Sequence, residues 1–204
     1  GIRAFMNSCE LASVPQKNLS MFGKLFDTPV HFQERVNHTK WVILQYPTPA
    51  FAQAANMSTS SFEDFYFKAC TMDYNKLSEA MEPLVNLMQN TDKVHIVGPG
   101  TDLKFSIKGI NAVPCYGRRN IPDGEVYTAP VKDSVEGIIS YNTPSIRDGY
   151  TFENIQFEFS KGKIVKATAN NTKRINEILD VDAGSRYVGE FSFGVNPYIS
   201  SPMK

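Results

Sequence analysis

Glu125 stands in "IPDGEVYTAP", directly behind Pro122, Asp123 and Gly124, the residue types that close a tight turn, and ahead of the β-prone Val126, Tyr127 and Thr128. An exposed hairpin acid needs no such rigid mount, whereas a metal ligand or a catalytic acid must be held to well under an ångström. Glu190, in "VGEFSFGVNPY", also follows a glycine and also sits at the edge of an aromatic-rich strand. Strand alternation would equally let either acid face water. Two such acids converging at one end of a sheet would instead offer hard oxygen ligands to divalent ions. The histidines add nothing to that set by spacing: His31, His38 and His95 fall in different segments, and none forms an HxxxH pair. Cys9, Cys70 and Cys115 are odd in number and far apart, which suits reduced, partly buried thiols. Gly98 and Gly100 follow an apolar run in "VHIVGPGTDLKF", but the residues after them alternate like a strand and include no Walker lysine-serine pair, against a phosphate-binding loop.

The elements that must position the two acids change style along the chain. Residues 1–92 combine an expected strand, "WVILQYP" at 41–47, with helices, the best at 62–90. There Phe62, Phe65, Tyr66 and Ala69, then Leu77, Met81, Leu84 and Met88, fall at helical spacing, and "CTMDYN" should split the run in two. Pro83 predicts a late start for the second helix. With no basic stripe beside it, the aromatic group Phe62, Phe65, Tyr66 and Phe67 suits core packing better than base stacking. After residue 92 strands dominate: 93–100, then 101–109 with Leu103, Phe105 and Ile107 inward, "GIISYNTP", and a hairpin over 152–169 turning at "SKGK". A short helix at 172–180 with Thr172 as N-cap and a strand at 186–195 complete the pattern. Short turns between the later strands leave no room for crossover helices, so that sheet should be antiparallel.

Composition bounds the partners. At 204 residues and 42% hydrophobic the chain can bury a sizeable core, and 21 basic against 21 acidic residues leave no net field to recruit nucleic acid or an anionic membrane. No apolar run is long enough to span a bilayer, and "GIRAFMNSCEL" lacks a signal-peptide layout, which predicts a cytoplasmic protein.

Several long, ordered motifs, "WVILQYPTPAFAQ", "SFEDFYFKACTMDY", "KVHIVGPGTDLKFSIKGI", "RNIPDGEVYTAPVKDSVEGIISYNTP" and "GEFSFGVNPYI", closely resemble the aminopeptidase T, aminopeptidase S and PepS family of metallopeptidases over nearly the whole chain. The resemblance implies that the acids of "DGEV" and "GEF", Glu125 and Glu190, are ligands of a two-metal site of zinc, cobalt or manganese. It also implies a homodimer that removes amino-terminal residues from peptide substrates. Family members carry α/β sequence ahead of this stretch and take histidine and aspartate ligands from beyond it. The expectation is therefore a middle fragment of the α/β class, inactive alone: residues 1–92 as part of an amino-terminal α/β domain, and 93–204 as the first part of a β-rich metal-binding domain. Asp123, Arg118 and Arg119 are candidates to support Glu125, although "YGRRN" would serve equally as a solvated loop. A non-catalytic structural or dimerisation module is the alternative.

Overall fold

The computed structural model describes residues 11–147 and 149–203. Cys9 and the opening segment read for a signal peptide lie outside them. A helical run comes first: α1 (Gln16–Phe22), a π-helical segment (Gly23–Arg35) and α2 (Val36–His38). Of the strand expected at 41–47, only β1 (Ile43–Leu44) forms, because its partner across the pair offers two residues. After α3 (Pro49–Ala54), the 62–90 region forms two helices as its pattern predicts, α4 (Thr59–Cys70) and α5 (Tyr74–Gln89). Ser58 caps α4 by accepting from the Ser61 amide at 3.2 Å, and Asp73 caps α5 by accepting from the Asn75 and Lys76 amides at 3.1 Å. The late start expected from Pro83 is corrected: α5 begins at Tyr74 and carries Pro83 inside it. The Asp73 cap and the buried stripe of Leu77, Met81 and Met88 hold the helix through the backbone bond that proline cannot make.

The remaining elements are β2 (Lys93–Gly98), β3 (Thr101–Ser106), β4 (Val113–Cys115), β5 (Asn120–Ile121), β6 (Glu125–Thr128), β7 (Glu136–Ser140), β8 (Ser145–Arg147), β9 (Tyr150–Phe152), β10 (Gln156–Ser160), β11 (Lys163–Thr168), α6 (Thr172–Leu179) and β12 (Phe191–Gly194). A five-stranded antiparallel sheet runs in the order β11, β10, β7, β3, β2, and a three-stranded antiparallel sheet in the order β12, β6, β4. The fold is thus mixed α/β with antiparallel sheets after residue 92; β5 pairs in parallel with β1. Gly98 and Gly100 flank the turn from β2 into β3, with no helix following. The N-cap of α6 is Asn171, not Thr172: the Asn171 side chain accepts from the Arg174 amide at 3.0 Å, while Thr172 Oγ1 bonds back to the Ala169 carbonyl at 3.1 Å.

Leu103, Phe105 and Ile107 are buried as their alternation requires. They share one core with Leu77, Met81 and Met88 of α5, Val126 of β6, Phe159 of β10 and Ile175 of α6. The Phe105 and Phe191 rings meet edge to face at 5.0 Å, joining the large sheet to the small one. Ala52, Phe62 and Tyr66 form a second cluster. The aromatic group of α4 therefore packs as expected except for Phe67, which is exposed. Among the described residues no helix is long and apolar enough to cross a membrane.

Candidate metal centre

The small sheet sets the two acids. In β6, Val126 and Thr128 are buried while Glu125 and Tyr127 turn to the other face. Direct partners across an antiparallel pair share a face. Cys115 lies opposite Glu125 on β4, and Gly194 and Ser192 of β12 lie opposite Glu125 and Tyr127. Glu190, two residues before Ser192, lies just ahead of β12 at the end where Phe191 pairs with Thr128, four residues from the Gly194 that faces Glu125, so the two acids stand towards opposite ends of the β6–β12 pair and not at one end as expected, although the Glu125 charge still reaches Glu190. Partial burial first, then the Glu125 charge, holds the Glu190 carboxyl above the ordinary carboxylate value. Among the described residues neither carboxylate makes a hydrogen bond or an ion pair, so no protein cation offsets their repulsion.

The mount of Glu125 is braced from three directions. The Asp123 carboxylate accepts from the Gly117 amide at 2.7 Å and the Gly124 amide at 3.0 Å, tying the turn to the loop before it. The Asp123 amide donates to the Tyr74 hydroxyl at 3.1 Å, and that hydroxyl donates to the Ala69 carbonyl at 3.0 Å. Asn196 is 7% exposed and donates through Nδ2 to the Asp123 carbonyl at 2.7 Å and to the Ala69 carbonyl at 3.4 Å. The Val195 amide adds a bond to the Gly124 carbonyl at 2.8 Å. Gly124 has φ +129°, and a Cβ there would meet Asn196 Cβ at 2.6 Å, so the turn and Asn196 fit only without a side chain at 124.

Asp123 is thus the residue that braces the turn. Arg118 and Arg119 are engaged elsewhere: Arg118 lies over the Tyr116 ring at 4.8 Å and Arg119 over Trp41 at 4.7 Å. His31 and His38 belong to the helical run, and His95 on β2 bonds Asp102 at 2.7 Å. Sequence reading missed Tyr74, Asn196 and the position of Cys115. Burial, then the charges of Asp123, Glu125 and Glu190, pushes the Cys115 thiol up to about 11, so it is a neutral neighbour of the acids at pH 7. Cys70 is also raised by burial, and both thiols are free.

The segment that delivers Glu190 changes sheets, which is why the strand expected over 186–195 spans only Phe191–Gly194. Tyr187 bridges to Lys163 at the edge of the large sheet, and β12 then pairs with β6 in the small one. Arg186 anchors the crossing. Its Nε and Nη2 donate to the two Asp180 carboxylate oxygens at 2.6 and 2.8 Å, and Nη2 donates to Asn176 Oδ1 at 3.0 Å. These bonds hold the Asp180 carboxyl below its ordinary value. A depressed carboxylate contributes stability that is present above its unfolded value and lost as pH falls through the folded one. Wild type should therefore melt above Asp180→Asn at pH 7, with the difference shrinking once pH falls below about 4; a difference independent of pH would contradict the pairing.

The donor set suits one side of a divalent-metal site. Two unneutralised carboxylates are appropriate ligands, yet two oxygens fall short of the four donors that tetrahedral zinc takes. Among the described residues no group of three or more His, Cys, Asp and Glu is placed to complete it.

Comparison with known proteins gives this arrangement a context. Aminopeptidase AmpS of Bacillus subtilis (strain 168) is 34% identical over 107 residues, covering 48% of this chain and 26% of the relative. Aminopeptidase T of Thermus aquaticus is 26% identical over 178 residues, covering 74% and 43%. The solved structure of wild-type AmpT from Thermus thermophilus superposes with a TM-score of 0.78 at 23% identity, over 94% of this chain and 54% of that one, a likeness of fold. The chain spans less than half the length of these two curated relatives. A family model described as thermophilic metalloprotease (M29) matches residues 4–203. The chain therefore belongs to the M29 metalloprotease family.

Proposed function

We propose that this chain is the middle part of a metal-dependent aminopeptidase that removes the first residue from peptide substrates. In this reading residues 1–92 close an amino-terminal α/β domain, and residues 93–204 begin the β-rich metal-binding domain. Glu125 and Glu190 supply two carboxylate ligands to a dinuclear centre of zinc, cobalt or manganese, and the remaining ligands come from sequence outside this chain. The observation that carries the reading is the pair of acids, Glu125 opening β6 and Glu190 just ahead of the neighbouring β12, near enough for the Glu125 charge to raise the Glu190 carboxyl, with no ion pair to either among the described residues. Family membership and the aminopeptidase names of the relatives support it. The protein acts in the cytoplasm as a homodimer and needs no nucleic acid.

A bound metal pair supplies an acidified water and polarises the scissile carbonyl. This chain's own residues do the positioning. Tyr74, Asp123 and Asn196 fix the backbone of the turn ahead of Glu125, so the carboxylate that would hold the metal has its mount already set. Cys115 stays protonated beside them and offers no competing thiolate. The full-length protein should hydrolyse aminoacyl p-nitroanilides, lose at least about 100-fold in rate when its metal is chelated, and regain it with zinc, cobalt or manganese. Residues 1–204 alone should be inactive. Full activity in protein shown by elemental analysis to be metal-free would refute the proposal.

A further inference from the structure

We propose that Arg35, Trp41 and Arg119 form a binding site for one small oxyanion, a carboxylate or a phosphate, apart from the candidate metal centre. The Arg35 and Arg119 guanidiniums both lie over the Trp41 ring, at 4.8 and 4.7 Å from its centroid. A stacked guanidinium uses its flat face, so its in-plane N–H groups stay available for a fork of hydrogen bonds to an oxyanion. Arg35 Nε and Trp41 Nε1 are shielded from solvent and have no hydrogen-bond partner among the described residues. A buried donor without an acceptor is costly, and more so on a charged group. The two positive centres lie within about 10 Å of each other, where like charges repel. Neither arginine makes an ion pair among the described residues. The cluster thus needs both an acceptor and a negative charge, and one oxyanion supplies the two together.

Three separate segments build the cluster. Arg35 closes the π-helical segment, Trp41 stands two residues ahead of β1, and Arg119 stands directly ahead of β5. β1 and β5 run parallel, and the Ile43 amide donates to the Arg119 carbonyl at 2.7 Å, which fixes the Arg119 backbone beside the residues that follow Trp41. The Arg119 side chain is exposed, so it can swing aside to admit a ligand to the shielded donors and then close over it. A bound oxyanion joins the helical run to the segment that leads into the Glu125 turn. Because it binds only where the three segments are assembled, it should stabilise the folded protein.

The test follows the Trp41 indole N–H NMR signal in the full-length protein, assigned by its loss in Trp41→Phe. Inorganic phosphate and sodium acetate are titrated in turn at constant ionic strength. Metal is first removed by chelation, so that phosphate does not report on the metal centre. The wild-type signal should shift saturably with at least one probe, and the melting temperature should rise with the same probe. A response to phosphate alone identifies a phosphate site, and a response to acetate alone a carboxylate site. Arg119→Gln, a change at an exposed side chain, should weaken binding at least about tenfold, the loss expected for one charge-assisted hydrogen bond. Arg119→Lys keeps the charge without the fork and should fall between wild type and Arg119→Gln; it also serves if the glutamine variant does not fold. A Trp41 signal indifferent to both probes, or the same midpoint in wild type and the folded Arg119 variants, would overturn the site. The readout needs no turnover, so either result leaves the aminopeptidase reading where it stands.

Discussion

Glu125→Gln and Glu190→Gln, each made in the full-length protein, should lower kcat/KM on aminoacyl substrates by more than about 100-fold, the upper end of the loss when only a supporting partner of a metal ligand is removed. Glutamine keeps the size and shape of the side chain and deletes its charge, so the substitution reads ligation and not packing. Among the described residues neither acid has an ion-pair partner to lose, and the Glu125 charge raises the Glu190 carboxyl. Removing one charge relieves repulsion in the metal-free protein, so its melting temperature should hold or rise while metal content falls. A purely structural role for either glutamate predicts the reverse, a lower melting temperature with metal retained. If both acids serve one centre, as proposed, the double variant should lose far less than the product of the single losses. Unchanged metal content and rate in both single variants would remove Glu125 and Glu190 from the site.

Gly124→Ala should destabilise the protein by about 2–4 kcal/mol, combining a left-handed backbone penalty with overpacking. At φ +129° an alanine is strained before any contact is considered, and its Cβ would press on the Asn196 Cβ at 2.6 Å and the Asn196 amide nitrogen at 3.1 Å. Those atoms are part of a backbone segment with bonds to the same turn, so neither side yields cheaply. Gly189, the neighbour of Glu190, provides the contrast: a Cβ there meets nothing within 4 Å. Gly189→Ala should change stability by less than about 0.5 kcal/mol. Denaturant unfolding of the two variants side by side checks the pair, and equal losses would show that the Gly124 contact is not limiting.

Much of the scaffold was legible because local patterns and burial agreed. The stripe Leu77, Met81, Met88 and the alternation Leu103, Phe105, Ile107 each bury the face that the sequence marks. The hairpin expected over 152–169 forms over 156–168, with Phe152 taken by β9, and it turns at Lys161 and Gly162, both at positive φ, as "SKGK" suggests. Strand ends were less legible, since a partner decides where pairing stops: β1 has only Asn120 and Ile121 to pair with, and the 186–195 segment divides between two sheets. At the candidate site, glycine before acid at a strand edge marked Glu125 and Glu190. The braces carried no such mark. Tyr74 reaches Asp123 across 49 residues and Asn196 reaches it across 73, contacts that only tertiary packing creates. In sequence Asn196 resembles an ordinary strand terminator ahead of proline.

The position of Asn196 along the chain also sets an order of assembly. Its amide joins the Asp123 carbonyl, 73 residues earlier, to the Ala69 carbonyl, 127 residues earlier. A chain emerging from its amino terminus passes Glu125 and then Glu190 before this clamp exists. Until Asn196 is made, the turn below Glu125 relies on the Tyr74 hydroxyl for its link to the Ala69 carbonyl of α4. The turn that carries Glu125 therefore gains its second tie to α4 in one late closure, after both acids and β12 have been synthesised.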